Sequence, residues 1–162
     1  MGVATGLRGF RTGALRQPPA ANTRESGAVK SLYLLDTGWI VRHLRGVQAY
    51  TETLLKIGAP QLALSILSLA ELYEGVYRAR DPAAAEHAVM TFVSDKTILP
   101  ITEPITRLFG QERARLRQQN QLIGDIDLLI AATCLAHELI LLTTNPRHFE
   151  RVEGLQIVSA PW

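Results

Sequence analysis

The chain has 162 residues, 47% of them hydrophobic and 20% charged, which suits one buried core and excludes a disordered, collagen-like or coiled-coil chain. A single cysteine, Cys134, excludes an internal disulfide framework and a thiolate zinc cluster, as expected of a cytoplasmic protein, and no apolar run approaches the roughly 18 residues that span a bilayer. The formal charge of +2 is unevenly placed: Arg8, Arg11, Arg16, Arg24 and Lys30 face only Glu25 in the first 30 residues, so the rest of the chain is net acidic. A nucleic-acid binder acting through bulk charge is thereby excluded; contact with nucleic acid needs a local basic rim and bound cations.

Residues 1–30 lack helix or strand periodicity and are rich in Gly, Ala, Arg, Thr and Pro. They read as a disordered extension, either a transit-like leader or the product of an upstream start codon. From Ser31 the pattern changes. Ser31 to Asp36 (SLYLLD) is an apolar strand buried on both faces, followed by helices over Gly38–Leu44 and Gln48–Ile57. A second strand spans Gln61 to Ser65, and a helix from Ser65 to Arg80 carries Leu69, Leu72, Tyr73 and Val76 at helical spacing. Asp81-Pro82 opens a further helix to Ser94. Thr97 to Ile101 is a third strand, Glu103–Asn120 and Asp125–Glu138 are helices, Leu139 to Thr143 is a fourth strand and Leu155 to Val158 a short fifth. Strands alternating with helices predict an α/β fold with a parallel sheet, whose ligand crevice lies beyond the carboxyl ends of its strands.

That rule selects the residues able to carry chemistry. Asp36 ends the first strand, where it either caps the next helix or faces the crevice. Glu71 lies in the helix after the second strand; Ser68 and Glu71 also have capping-box spacing, but a helix beginning at Ser65 carries Glu71 past the capping position. Asp125 reads as an N-cap. Asp127, heading the apolar run Leu128 to Ala132, is harder to explain as a cap. Asn145 follows the fourth strand as a cap or an oxygen ligand. At one sheet edge, with the Asn145 amide, the three carboxylates repel unless a cation or protons neutralise them, and oxygen donors without His or Cys select Mg²⁺ or Mn²⁺. Such a set suits metal-assisted attack of water on a phosphodiester. His43, His87, His137 and His148 are scattered, without metal-ligand spacing, and Cys134 reads as inert packing.

Leu34-Leu35-Asp36-Thr37, Ser65 to Leu72 with Gly75, Ile123 to Ala132, and Leu142 to Phe149, closed by Val152 to Leu155 and Trp162, stand in an order and spacing that resembles the PIN-domain ribonucleases, specifically the VapC toxins of toxin–antitoxin pairs. The resemblance implies a three-layer α/β/α PIN domain over residues 31–162, with a mainly parallel sheet of four or five strands. It implies a Mg²⁺-dependent endoribonuclease acting on tRNA or other structured RNA, Mn²⁺ also serving, that forms a homodimer and is silenced by a VapB-type antitoxin. The family's acids fall on Asp36, Glu71 and Asp127, as catalytic residues and metal ligands, with Asn145 as a weaker ligand in place of a fourth acid. Gly38 stands where many relatives have a second Asp. Thr37, Thr143, Arg42 and Arg78 are the expected substrate contacts. Leu54, Leu55, Tyr73 and Val76 are expected to supply apolar surface for partners. Two other readings compete. In a phosphoaspartyl hydrolase or receiver domain, Gly38 removes the required second acid. A weakened PIN-fold module would bind antitoxin or RNA without cleaving.

Overall fold

The computed structural model describes residues 32–162; the expected N-terminal extension and the start of the first strand at Ser31 lie outside the described residues. Five short strands, β1 (Tyr33–Leu35), β2 (Leu62–Ser65), β3 (Thr97–Leu99), β4 (Ile140–Leu142) and β5 (Gln156–Val158), form one sheet in the order β3-β2-β1-β4-β5. Every pairing is parallel. Each strand return needs a crossover, and the helices supply it: α1 (Thr37–Leu44), α2 (Gln48–Ile57), α3 (Ile66–Tyr77), α4 (Pro82–Val93), α5 (Glu103–Gln118), α6 (Asp125–His137) and a four-residue α7 (Pro146–Phe149).

Strand alternation divides the apolar residues into two cores, one on each face of the sheet. Leu34, Ala63 and Leu141 are in register and point to the face covered by Leu116, Leu128, Ile130 and Phe149. Leu35, Leu64 and Leu142 point to the opposite face, against Trp39, Ile40, Leu72, Val89 and Phe92. The result is a three-layer α/β/α sandwich. Because both faces are covered, the central strands are apolar without interruption, and the first polar side chains appear where they end: Asp36, Ser65 and Thr143, all buried.

Several element boundaries differ from the sequence expectations. A 3-10 turn at Ala59–Gln61 delays β2 to Leu62. The helix α5 stops at Gln118 because Asn120 takes a left-handed conformation at φ 54°, and Glu138, at φ 55°, similarly ends α6. The helix α3 ends at Tyr77, short of Arg80, and α7 has no counterpart in the sequence reading. Leu54 and Val76, expected as partner surface, belong to the core, whereas Leu55 and Tyr77 are 76% and 75% exposed. Trp162 returns to the α1–α2 side, its backbone carbonyl accepting from Thr53 Oγ1 and Lys56 Nζ. Among the described residues no helix is long and apolar enough to cross a membrane.

Candidate active site

The chain order reverses between β1 and β4, the sheet's switch point, and the crevice there lies beyond Leu35 and Leu142. Asp36 opens it and serves both of its expected roles. As N-cap of α1 it accepts the Thr37 N–H at Oδ1 (2.9 Å), and its Oδ2 accepts the Thr143 hydroxyl (2.7 Å). Its backbone N–H donates to the Leu142 carbonyl at 3.0 Å, which locks the residue to the neighbouring strand end. Only 9% exposed, the carboxyl has its pKa raised, chiefly by burial; the Thr143 and Thr37 hydrogen bonds act against this, and the charge of Asp127 adds to it.

Glu71 comes from α3. The helix is capped by Ser65, whose Oγ accepts the Ser68 N–H at 2.9 Å, so Ser65 takes the cap that a Ser68–Glu71 capping box would have needed. Glu71 therefore lies in the second turn, and its carboxylate accepts a hydrogen bond from the Thr37 hydroxyl. Burial raises its pKa, Thr37 opposes this, and the charges of Asp36, Asp127 and Glu74 raise it further. Thr37 thus fastens two acids, one through its backbone and one through its side chain.

Asp127 is the third residue of α6, and the helix opens on Gly124 without a side-chain cap. The expected Asp125 cap is absent: Asp125 instead forms a two-pronged ion pair with Arg113 (2.8 and 3.2 Å), whose guanidinium holds the Asp125 pKa below the usual aspartate value. Asp127 Oδ2 meets His148 Nδ1 at 2.9 Å. His148 is the functional neighbour that sequence reasoning set aside; its one signal was its position within the last motif, directly before the buried Phe149.

The other expected site residues divide. Thr143 is fully buried and bridges the strand end, donating to Asp36 and accepting the Asn145 N–H at 3.0 Å. Asn145 is exposed and precedes α7 without a side-chain cap bond. Arg42 is exposed on α1, its guanidinium 5.4 Å from the Tyr50 ring centroid. Arg78, at the far end of α3 and two turns beyond Glu71, pairs with Glu74 at 3.2 Å and is not brought to the carboxylates. Gly38 has a packing reason: a Cβ there would lie 2.2 Å from Thr144 Oγ1.

The charge of Asp127 thus acts on Asp36 and Glu71, and that of Asp36 on Glu71, while Thr37 and Thr143 hold Asp36, Thr37 holds Glu71 and His148 holds Asp127. Among the described residues no three His, Cys, Asp or Glu side chains are grouped so as to hold one metal ion. In chemistry the donors fit a hard divalent cation: oxygen ligands only, two of them with proton affinity raised by burial and mutual repulsion.

The PIN domain family pattern matches residues 33–155. Among curated relatives, the ribonuclease VapC19 of Mycobacterium tuberculosis is 38% identical over 76% of this chain and 96% of its own length, and the ribonuclease VapC2 of Haemophilus influenzae is 32% identical over 76% and 94%. A structure of DNA-bound VapBC from Salmonella typhimurium matches with a TM-score of 0.74 and 25% identity, covering 79% of this chain and 97% of that one. VapBC2 from Rickettsia felis, bound to a DNA fragment of its promoter, matches at 0.72 and 27%, over 78% and 97%. With the sheet order, the strand-end acids and these matches in agreement, this chain belongs to the PIN-domain family, among the VapC proteins of toxin–antitoxin pairs.

Proposed function

We propose that the protein is a Mg²⁺-dependent endoribonuclease toxin, with Mn²⁺ as a substitute, that hydrolyses phosphodiester bonds in tRNA or other structured RNA in the cytoplasm. The observation that carries this reading is the facing of Asp36, Glu71 and Asp127 from three separate elements at the switch point, with Asp127 raising the proton affinity of the other two. These three side chains would hold the ion, with the Asn145 amide as a weaker fourth donor. When bound, the ion would supply charge stabilisation for the phosphate oxygens. The chain's own part is positional: Thr143 and the Thr37 N–H fix Asp36, the Thr37 hydroxyl orients Glu71, and His148 orients Asp127. One relative, from Shigella flexneri, is named a tRNA(fMet)-specific endonuclease, which supports the substrate class.

The partner in this reading is a VapB-type antitoxin, in keeping with the VapBC complexes among the structural neighbours, and the toxin is a homodimer. An apolar cleft of about 280 Å³ between α1, α3 and α4, lined by Val41, Leu44, Leu72 and Val76, reaches Glu71. An antitoxin segment seated there would cover the crevice as well as bind.

A second reading, a PIN-fold module that binds antitoxin or RNA without cleaving, is favoured by one observation: no three-residue metal group stands among the described residues. Taken as it stands, that side-chain arrangement supports the second reading more directly; the first rests on the donor chemistry and on the relatives. Thermal melts with and without Mg²⁺, alongside cleavage of pooled tRNA, separate them. The first requires a Mg²⁺-dependent rise in melting temperature and cleavage, both lost in Asp127→Asn and both kept in Asp125→Asn, since Asp125 is engaged by Arg113. RNA or antitoxin binding without a Mg²⁺ response and without cleavage would establish the second.

A further inference from the structure

Beside the carboxylates lies a cleft of about 390 Å³, bordered by Thr37, Arg42, Arg45 and Thr144 together with Val41 and Val47, within the size range of small-ligand sites. We propose that this cleft is a phosphodiester subsite that takes the phosphate next to the bond to be cut, with Arg42 and Arg45 as its cationic wall. The inference rests on the RNA reading above and deepens it.

The charge pattern of the arginines is the first argument. Arg78, Arg107, Arg113 and Arg115 are each neutralised by a carboxylate, at 3.2, 2.6, 2.8 and 2.7 Å. Among the described residues Arg42 and Arg45 form no such ion pair; Arg80, Arg117, Arg147 and Arg151 are likewise unpaired, but only Arg42 and Arg45 border this cleft. Two uncompensated guanidiniums, one in the last turn of α1 and one at its C-cap, leave their donors open to an external anion, and their fork geometry suits phosphate oxygens. Arg42 is also kept near one orientation by the face of Tyr50, which reduces the ordering needed on binding.

Position supplies the second argument. Thr37 lines this cleft while holding both Asp36 and Glu71, so the wall of the catalytic crevice is also the wall of the cleft. Arg45 additionally borders the apolar cleft that contains Glu71. At the inner end Gly38 lets Thr144 pack closely against the start of α1, since a Cβ there would lie 2.2 Å from Thr144 Oγ1. A free anion would meet the repulsion of three nearby carboxylates. A phosphate tethered through the backbone to one already engaged at those carboxylates is delivered at high effective concentration, which selects a nucleic-acid strand over a small anion.

The test is fluorescence anisotropy of a fluorescein-labelled oligoribonucleotide with the full chain in EDTA, where metal-dependent cutting cannot proceed, over a range of salt. Arg42→Gln/Arg45→Gln should weaken binding about tenfold and reduce the slope of log affinity against log salt by about 0.7, the share of one single-strand phosphate. Arg107→Gln should match the unsubstituted protein, and Arg42→Lys/Arg45→Lys should regain most of the slope, which separates lost charge from a damaged fold. Binding by the unsubstituted protein that the Gln pair leaves unchanged would overturn the subsite and leave the RNA reading standing. Absence of RNA binding by the unsubstituted protein in EDTA, and again with Ca²⁺ as the hard cation in place of Mg²⁺, would overturn that reading and the subsite with it. Full competition by inorganic phosphate would mark a small-anion site instead. Loss of co-purifying antitoxin from the Gln pair, with RNA binding intact, would assign the surface to the protein partner.

Discussion

The crevice is made where two strands end, and the two ends are built differently. At the β1–α1 junction Asp36 is buried, caps an eight-residue helix, and is held by two donors and a backbone bond to Leu142. At the β4–α7 junction the helix has four residues, begins with Pro146, lacks a side-chain cap, and is anchored mainly by the buried Phe149. Its polar residues, Asn145 and His148, are exposed, and Asp127, which His148 contacts, is itself 26% exposed. One strand end therefore fixes its own carboxylate, and the other leaves adjustable the carboxylate it reaches from α6 through His148. A site that must change its oxygen contacts when an ion arrives is served by that division, because rigidity is retained only where burial already imposes it.

The sharpest way to break this comparison is at the point where the two junctions touch. An alanine in place of a helical glycine ordinarily stabilises by roughly 0.5–1 kcal/mol. At Gly38 the added methyl would approach Thr144 Oγ1 to 2.2 Å, so Gly38→Ala should destabilise by about 1–3 kcal/mol in urea unfolding, as overpacking does. Gly38→Ala/Thr144→Ala should recover most of the loss. A stabilised single variant would mean that Thr144 swings aside freely and that the β4–α7 junction is softer still.

Thr143→Val tests the fixed side. It keeps the shape of the side chain and deletes the hydroxyl that donates to Asp36 and accepts from Asn145. A loss of about 1–2 kcal/mol is expected, since a buried carboxylate loses a partner, and Asp36 should then titrate still higher, as that hydrogen bond opposes the effect of burial. Two-dimensional NMR of the aspartate carboxyl carbons would follow the titration directly.

A smaller effect concerns pH. Burial, with the neighbouring acids, raises the pKa of both Asp36 and Glu71, so the folded chain binds these protons more tightly than the unfolded one. Their contribution to stability is full below the ordinary carboxylate range of about 4 and is lost as pH rises through the elevated folded values. In EDTA, Glu71→Gln should therefore gain stability relative to the unsubstituted protein between about pH 4 and pH 7. The exposed Asp95 and Asp125 shift oppositely beside Lys96 and Arg113, but solvent screens them. A difference between the two melting curves that does not vary with pH would show that Glu71 is not strained by its neighbours.

The sequence made the fixed junction legible and the adjustable one only partly so. Uninterrupted apolar strands ending in Asp36, Ser65 and Thr143 announced a parallel sheet and its crevice edge, because burial on both faces leaves polar residues no earlier place. The cap assignments were less legible, because they depend on competition among neighbours: Ser65 displaced Ser68 at α3, and Arg113, from a different helix, drew Asp125 out of the capping role at α6. Periodicity could not show α7, since four residues opening with proline read equally well as a turn. His148 was hidden for the same reason. Nor could it separate Arg42 from Arg78, whose difference lies in whether a glutamate one turn away neutralises the charge.

The smallest expected effect falls on His148. Its ring contacts Asp127 at 2.9 Å, but the imidazole is 52% exposed, so water can replace the contact on both sides. His148→Ala should shift unfolding free energy by less than about 0.5 kcal/mol, well under the loss for Thr143→Val, although both residues hold a candidate metal ligand. The two variants compare the same kind of hydrogen bond in two settings: one donor buried at a strand end, the other on a short surface helix. If His148→Ala proved the more destabilising in the same urea series, α7 would be the rigid element and Asp127 the fixed carboxylate. The assignment of stiffness to the two strand ends would then have to be reversed.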